Sequence, residues 1–315
     1  MKKEDQYRAV ERKYAKIKRR ERRKRYVLRI LGLAGIPAVI LGLFAFRSLR
    51  QPKPEADLPD ALRVWFFDAG QGDAALIRTP NHAVLIDAGD CDRGYRIVQK
   101  LKSLGVTRLD AAVCSHPHAD HIGGMETVLS CIPTDALYMP EIPDAMLPAA
   151  PYYTGLLDAA EKHHAALRIP ACRDTVDLDG ASLTFLSTDN TAFEDLNNCS
   201  LGCLVRCGES CFFFAGDLEK EGEESMLRAG LIPPVSVLKV SHHGSSGSTS
   251  EAFLQAAKPE YAVISVGSGN DYGHPAQRTL ERLAAVRCEI FRTDLDGTVL
   301  FASDGKQLQY RLAGI

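Results

Sequence analysis

The chain has 315 residues, enough for one large domain or two small ones around a substantial buried core. Its formal charge of −2 hides a division: residues 1–53 hold 17 Lys+Arg against 4 Asp+Glu, and the remainder holds 21 against 36. The remainder, at −15, repels polyanions and so argues against nonspecific nucleic-acid binding, which rests on Lys and Arg; a domain of this size also has no need of disulfide staples.

Residues 1–26 read as a basic cytoplasmic arm beside anionic lipid. The run "ILGLAGIPAVILGLFAF" (Ile30–Phe46) is uncharged and apolar. Extended through Tyr26–Leu28, with Arg29 snorkelling, it predicts one transmembrane helix over 27–46. Lys and Arg number 13 in residues 1–25 and three just after the run. The positive-inside rule therefore puts the N-terminus in the cytoplasm and the bulk of the chain outside. Residues 47–60 read as a polar linker, and 61–315 as one folded domain.

That domain reads as α/β. "LRVWFF", "AALIRT" and "AVLIDAG" predict three strands with tight turns. Arg93–Leu104 has helical apolar spacing, with Gly105 as a stop. "DAAVCSH" predicts a buried strand, followed by a helix from Asp120 or His121 to Leu129 and another over Tyr152–Ala166. "SLTFLS", "SLGCLVRC" and "CFFFAGD" predict strands, then a helix over Leu218–Ala229. "VSVLKVSHHG" predicts a strand ending in two histidines. A helix near Glu251–Ala257, the strand "YAVISVG", a helix over Pro275–Ala285 and three short strands close the chain. The nine cysteines all follow residue 90. "CSLGCLVRCGESC" lacks zinc-site spacing and reads as small apolar residues on strand faces; a hairpin through Gly208-Glu209-Ser210 would set Cys207 opposite Cys211.

The chemistry concentrates in "SHPHADHIGG" (Ser115–Gly124). His116 and His118 leave a strand at alternate positions and can face one point. Asp120 and His121, at a helix start, can face a second point nearby. Imidazoles suit zinc, and a mixed nitrogen and oxygen set also accepts manganese or iron. Asp68 and Asp73 of "DAGQGD" either support metal-bound histidines or form a turn with an Asx-type hydrogen bond, and Asp73 is the candidate favoured for the first role. Glu219 either approaches the metals or starts a helix.

"HPHADH" matches the HxHxDH signature of the metallo-β-lactamase superfamily. "FFDAGQGDAALIRTP", "VLIDAG", "NNCSLGCLV", "FFFAGDLE", "VLKVSHHGSSGSTS", "AVISVGSGNDYGHP" and "TDLDGTV" follow in the order seen in the extracellular hydrolase-like domain of ComEC-type competence proteins. The chain resembles that branch from about residue 61 to 310. The resemblance implies a four-layer αββα sandwich with two divalent metal ions, Zn²⁺ or Mn²⁺, at the strand ends. It implies that His116 and His118 hold the first metal, that Asp120 and His121 hold the second, and that Asp217 bridges them. One of His242 and His243, with His243 favoured, would complete the second. The superfamily's further histidine on the first metal is absent: "LNNCS" stands in its place, leaving Asn198 or water to help. His163 and His164 lie too early, inside an apparent helix. His274 resembles a substrate-side histidine that would bind phosphate or donate a proton. Ser245, Ser246, Ser248, Thr249 and Ser250 form a hydroxyl-rich loop that would bind phosphate oxygens or cap the next helix.

Two cations about 3.5–4 Å apart would activate a water and clamp both oxygens of an in-line displacement, with Asp120 orienting the nucleophile. The expectation is a membrane-anchored, extracytoplasmic phosphodiesterase acting on DNA. The alternatives are a hydrolase of small phosphoesters, such as choline-phosphate or envelope lipid head groups, and a non-catalytic surface module. The missing histidine argues against β-lactamase activity, and a single span argues against DNA transport by this chain alone.

Overall fold

The computed structural model describes residues 58–312. The expected arm, membrane span and nearly all of the linker lie outside the described residues. Among the described residues no helix is long and apolar enough to cross a membrane.

Alternation in the first strand sets the architecture. In β1 (Leu62–Phe66), Leu62, Val64 and Phe66 point into one hydrophobic cluster, while Trp65, with Phe67 just beyond the strand, points into another. A strand buried on both faces needs a layer on each side. The first sheet has the order β15-β14-β1-β2-β3-β4-β5-β6. Its other strands are β2 (Ala75–Arg78), β3 (Ala83–Ile86), β4 (Leu109–Val113), β5 (Thr134–Tyr138), β6 (Ala166–Arg168), β14 (Val299–Ser303) and β15 (Leu308–Leu312). The second sheet has the order β13-β12-β11-β10-β9-β8-β7. It comprises β7 (Thr175–Asp177), β8 (Ala181–Leu186), β9 (Gly202–Cys207), β10 (Ser210–Phe214), β11 (Val237–Lys239), β12 (Tyr261–Ile264) and β13 (Glu289–Arg292). Both sheets are mixed: β3 through β6 and β10 through β13 run parallel, and the remaining pairs are antiparallel.

The inner faces meet in one cluster, where the Phe66 and Phe214 rings stack 5.3 Å apart and Phe301 packs edge-on against Phe66. Each such fully buried side chain contributes about 1.5–3 kcal/mol relative to exposure. Helices α1 (Gly94–Ser103), α3 (Met125–Cys131) and α4 (Pro151–Lys162) cover the outside of the first sheet. Helices α5 (Lys220–Arg228), α6 (Glu251–Ala257) and α7 (Gln277–Ala285) cover the second. The short α2 (Ala119–Ile122) and α8 (Thr293–Asp296) follow β4 and β13. This is the expected αββα sandwich, and the parallel strands carry their C-terminal ends to one edge.

Several local expectations change. The helix expected over 120–129 is two, α2 and α3, parted at Gly123-Gly124. Gly124 donates its N–H to the Gly89 carbonyl. A Cβ there would strike the Ala88 carbonyl oxygen and lie 3.0 Å from Gly94 Cα. The helix expected to reach Ala166 ends at Lys162, because His164 adopts φ 60° and turns the chain into β6. Pro275 does not open a helix; α7 begins two residues later with Ala276 as N-cap. The hairpin turn is the two residues Gly208-Glu209, so Cys207 opposes Ser210 and Cys211 opposes Arg206. Cys207 therefore faces the inner core and Cys211 the outer one, and the cysteines among the described residues are all free.

Candidate metal centre

Loops from both sheets converge at that edge. Leaving β4, the chain delivers His116 and His118; α2 then presents Asp120 and His121. Beyond β10, Gly216 (φ 56°) lets the chain turn tightly against Ser200, placing Asp217. Beyond β11, His242 and His243 both take left-handed backbone, at φ/ψ 48°/49° and 50°/22°, a conformation uncommon for side chains of this size. The turn gives the two rings different partners at Nδ1, Glu219 for His242 and the Ser265 carbonyl for His243.

Asp217 is the centre of the arrangement. Its Oδ1 lies 3.2 Å from His121 Nε2, and its Oδ2 lies 3.6 Å from His243 Nε2, 3.7 Å from His242 Nε2 and 3.9 Å from His116 Nε2. Asp120, His121, Asp217 and His243 each bring one ligand atom within 4.8 Å of the others. On the other side, His116 Nε2 and His118 Nδ1 face each other at 3.0 Å. His121 Nε2 and Asp217 Oδ1 are buried without a hydrogen-bond partner despite their proximity. Such orphaned atoms normally carry a desolvation cost, and a cation between them removes it, so the residues present fit a divalent metal.

Electrostatics agree. Burial opposes charge on His243, yet Asp217, Asp120 and Asp73 push its pKa up to about 10. His121 is likewise raised against burial by Asp217 and Asp87. Burial and the neighbouring His121 push His116 down. Asp120 and Asp217 are held low by the surrounding imidazoles although burial alone would raise them.

The histidines are held from behind. Asp87, following β3, accepts from Ser115 N–H (2.8 Å) and Ser115 Oγ (2.7 Å) and pairs with His121 Nδ1 at 2.9 Å. His243 Nδ1 lies 3.0 Å from the Ser265 carbonyl and 3.3 Å from Asp73 Oδ1. Asp73 is itself paired with the buried Lys239 at 2.6 Å; against burial, this cation and His243 bring its pKa down to about 2. Glu219 stands at the N-cap position of α5 without a side-chain cap bond, and its carboxylate turns instead to His242 Nδ1 at 2.9 Å. Asp87, Lys239, Ser115 and Ser265 are not among the residues expected from sequence. A lone lysine within the apolar run "VLKV" is a legible signal, because a buried cation requires a buried partner.

Other expected residues fall elsewhere. Asn198 turns its Oδ1 to the N–H groups of Glu219 and Gly222, so it caps α5; His242 is the side chain that faces Asp217 instead. Ser250 caps α6 by accepting from Phe253 N–H, Ser248 Oγ donates to the Ser241 carbonyl, and Ser245 Oγ accepts from Gly247 N–H. The hydroxyl loop is chiefly a structural turn. Asp68 accepts from Gly70 N–H in a turn, the second of its two readings. His163 and His164 end α4, away from the cluster. His274 stands half-buried beside it, its ring 5.6 Å from His242 and 6.5 Å from His243.

The profile of the Metallo-beta-lactamase superfamily matches residues 67–268. The chain belongs to that superfamily. Within it, the chain is related over most of its length to competence proteins. It is 35% identical to "Competence protein ComA" of Neisseria gonorrhoeae, over 86% of this chain and 36% of that one. It is 29% identical to "ComE operon protein 3" of Bacillus subtilis, over 88% of this chain and 37% of that one. The chain thus spans little more than a third of these relatives. Among solved structures, CmlA, a diiron β-hydroxylase from Streptomyces venezuelae, superposes with a TM-score of 0.52 at 13% identity, over 78% of this chain and 55% of that one. That likeness concerns the superfamily fold alone.

Proposed function

We propose that this chain is a metal-dependent phosphodiesterase acting on DNA, anchored through residues 27–46 with the 61–315 domain outside the cytoplasmic membrane. The observation that carries the reading is Asp217, a buried carboxylate flanked on both sides by imidazole nitrogens. His116, His118 and His242 with Asp217 would hold one cation. Asp120, His121 and His243 with Asp217 would hold the other; Zn²⁺ or Mn²⁺ suits this donor set. When bound, the cations would offset the charge of a phosphodiester and lower the pKa of water.

The chain's own residues do the rest. Asp120, 31% exposed, is the cluster carboxylate most open to substrate, and would orient the attacking water by accepting its hydrogen bond. Burial and the neighbouring His242 and His243 lower the pKa of His274; neutral near pH 7, it would offer a hydrogen bond to a phosphoryl oxygen. The name of one relative, "Competence protein ComA", connects it with competence, which supports DNA as the substrate.

A second reading, small phosphoesters of the choline-phosphate or lipid-headgroup kind, draws on the −15 charge of residues 54–315. The full chain in detergent, supplied with Mn²⁺ or Zn²⁺, should hydrolyse bis-nitrophenyl phosphate, and Asp217→Ala should reduce the rate to background. Less than one metal per chain with no hydrolysis under either ion would leave only a surface module. Linear DNA left intact at low salt while choline-phosphate esters are cleaved would select the second reading.

A further inference from the structure

The loop "GSGNDYGHPAQ" (Gly267–Gln277) carries a side chain for which the fold has no use. Tyr272 is 72% exposed and belongs to none of the three hydrophobic clusters. A large ring left in water on an ordinary turn would be free to swing, but this loop is fixed. Asn270 Oδ1 accepts from the N–H groups of Tyr272 and His274, and its Nδ2 donates to the carbonyls of Gly267 and His274. Gly267 N–H donates to Gln71 Oε1, and a Cβ on Gly267 would lie 2.7 Å from Gln71 N. Ala276 N–H donates to the Gly244 carbonyl, immediately after His243. The loop is therefore pinned both to the turn before β2 and to the histidine turn.

The ring is also aimed. Tyr272 stacks on His274 with centroids 5.7 Å apart and planes 25° apart, and His274 lies over His243 at 6.5 Å and 28°. Both spacings are those of offset-stacked rings. The series starts at the buried cluster and ends with Tyr272 at the surface.

We infer that Tyr272 is a stacking platform for a planar heteroaromatic ring of the substrate, an unpaired base flanking the scissile phosphodiester. The inference rests on the phosphodiesterase reading and adds how a substrate is recognised. A base stacks by its π-face, whatever its identity, and that contact draws on the ring rather than on charge. That suits residues 54–315, whose −15 charge opposes the usual backbone attraction. In a duplex both faces of each base are covered by neighbours, so the platform selects single strands.

The test uses the full chain in detergent with Mn²⁺. Tyr272→Trp places an indole on the platform; the native tryptophan, Trp65, is buried. A single-stranded oligonucleotide should quench the introduced indole saturably, and an abasic strand of equal length and charge should not. Tyr272→Ala should raise the Kd for the normal strand roughly 5- to 150-fold, and Tyr272→Phe should restore it. Abasic and normal strands that bind alike, or Tyr272→Ala binding as tightly as wild type, would overturn the inference even if DNA is cleaved. Base-dependent quenching without hydrolysis of any phosphodiester would uphold the platform and overturn the enzymatic reading.

Discussion

At His242 and His243 two identical side chains acquire different partners. Consecutive left-handed residues cost about 1–3 kcal/mol each, and the neighbours that hold them there are visible. His243 is locked by the Ser265 carbonyl and Asp73, His242 by Glu219. A carboxylate on the far nitrogen fixes the tautomer and orientation of a ligating imidazole, and its loss typically costs 10–100-fold in metal affinity. Glu219→Gln should therefore weaken one of two binding steps in a metal titration by about that factor and leave the other unchanged. Two unchanged steps would remove His242 from the ligand set. The sequence shows two adjacent histidines and nothing of this division, because it depends on which way each φ turns and on partners 22 and 23 residues away.

At the scale of elements, the two glycines closing "HADHIGG" do more than permit turning. Gly124 ends the loop that carries His116, His118, Asp120 and His121 and lets α3 approach the N-terminus of α1, where Gly94 faces it. The obstruction to any Cβ is backbone, which has little room to yield. Gly124→Ala should destabilise by about 1–3 kcal/mol, the usual cost of overpacking, read as a lower denaturant midpoint with unchanged slope. An unchanged midpoint would mean that the helices are not held at this spacing. The histidine spacing made the ligand loop legible. The break between α2 and α3 was not, since helical periodicity continues through it; nor were β5, β6 and β7, of which β6 and β7 have three residues each and β6 is exposed along its whole length.

At the scale of the whole molecule, the charge division and the apolar run make a topological prediction. Residues 1–53 carry +13 and residues 54–315 carry −15, so the basic part should stay with the cytoplasmic leaflet. Protease added to intact cells should digest the 61–315 domain and spare an N-terminal tag. Protection of the domain until the cells are lysed would reverse the orientation.

The sequence by itself determined the α/β run of elements and the histidine-dense loop, and its resemblance to the ComEC-type branch implied the sandwich and most of the side chains that meet at its edge. Strand alternation, strand-end motifs and the density of histidine and aspartate are local patterns that survive without coordinates. The tertiary structure decided how those groups divide around Asp217. It also decided that Asn198 caps a helix, and that Asp87, Asp73, Lys239 and Glu219 hold the imidazoles. Those outcomes depend on approach between loops from two different sheets, and on the requirement that a buried charge find its partner. Sequence spacing does not encode that approach.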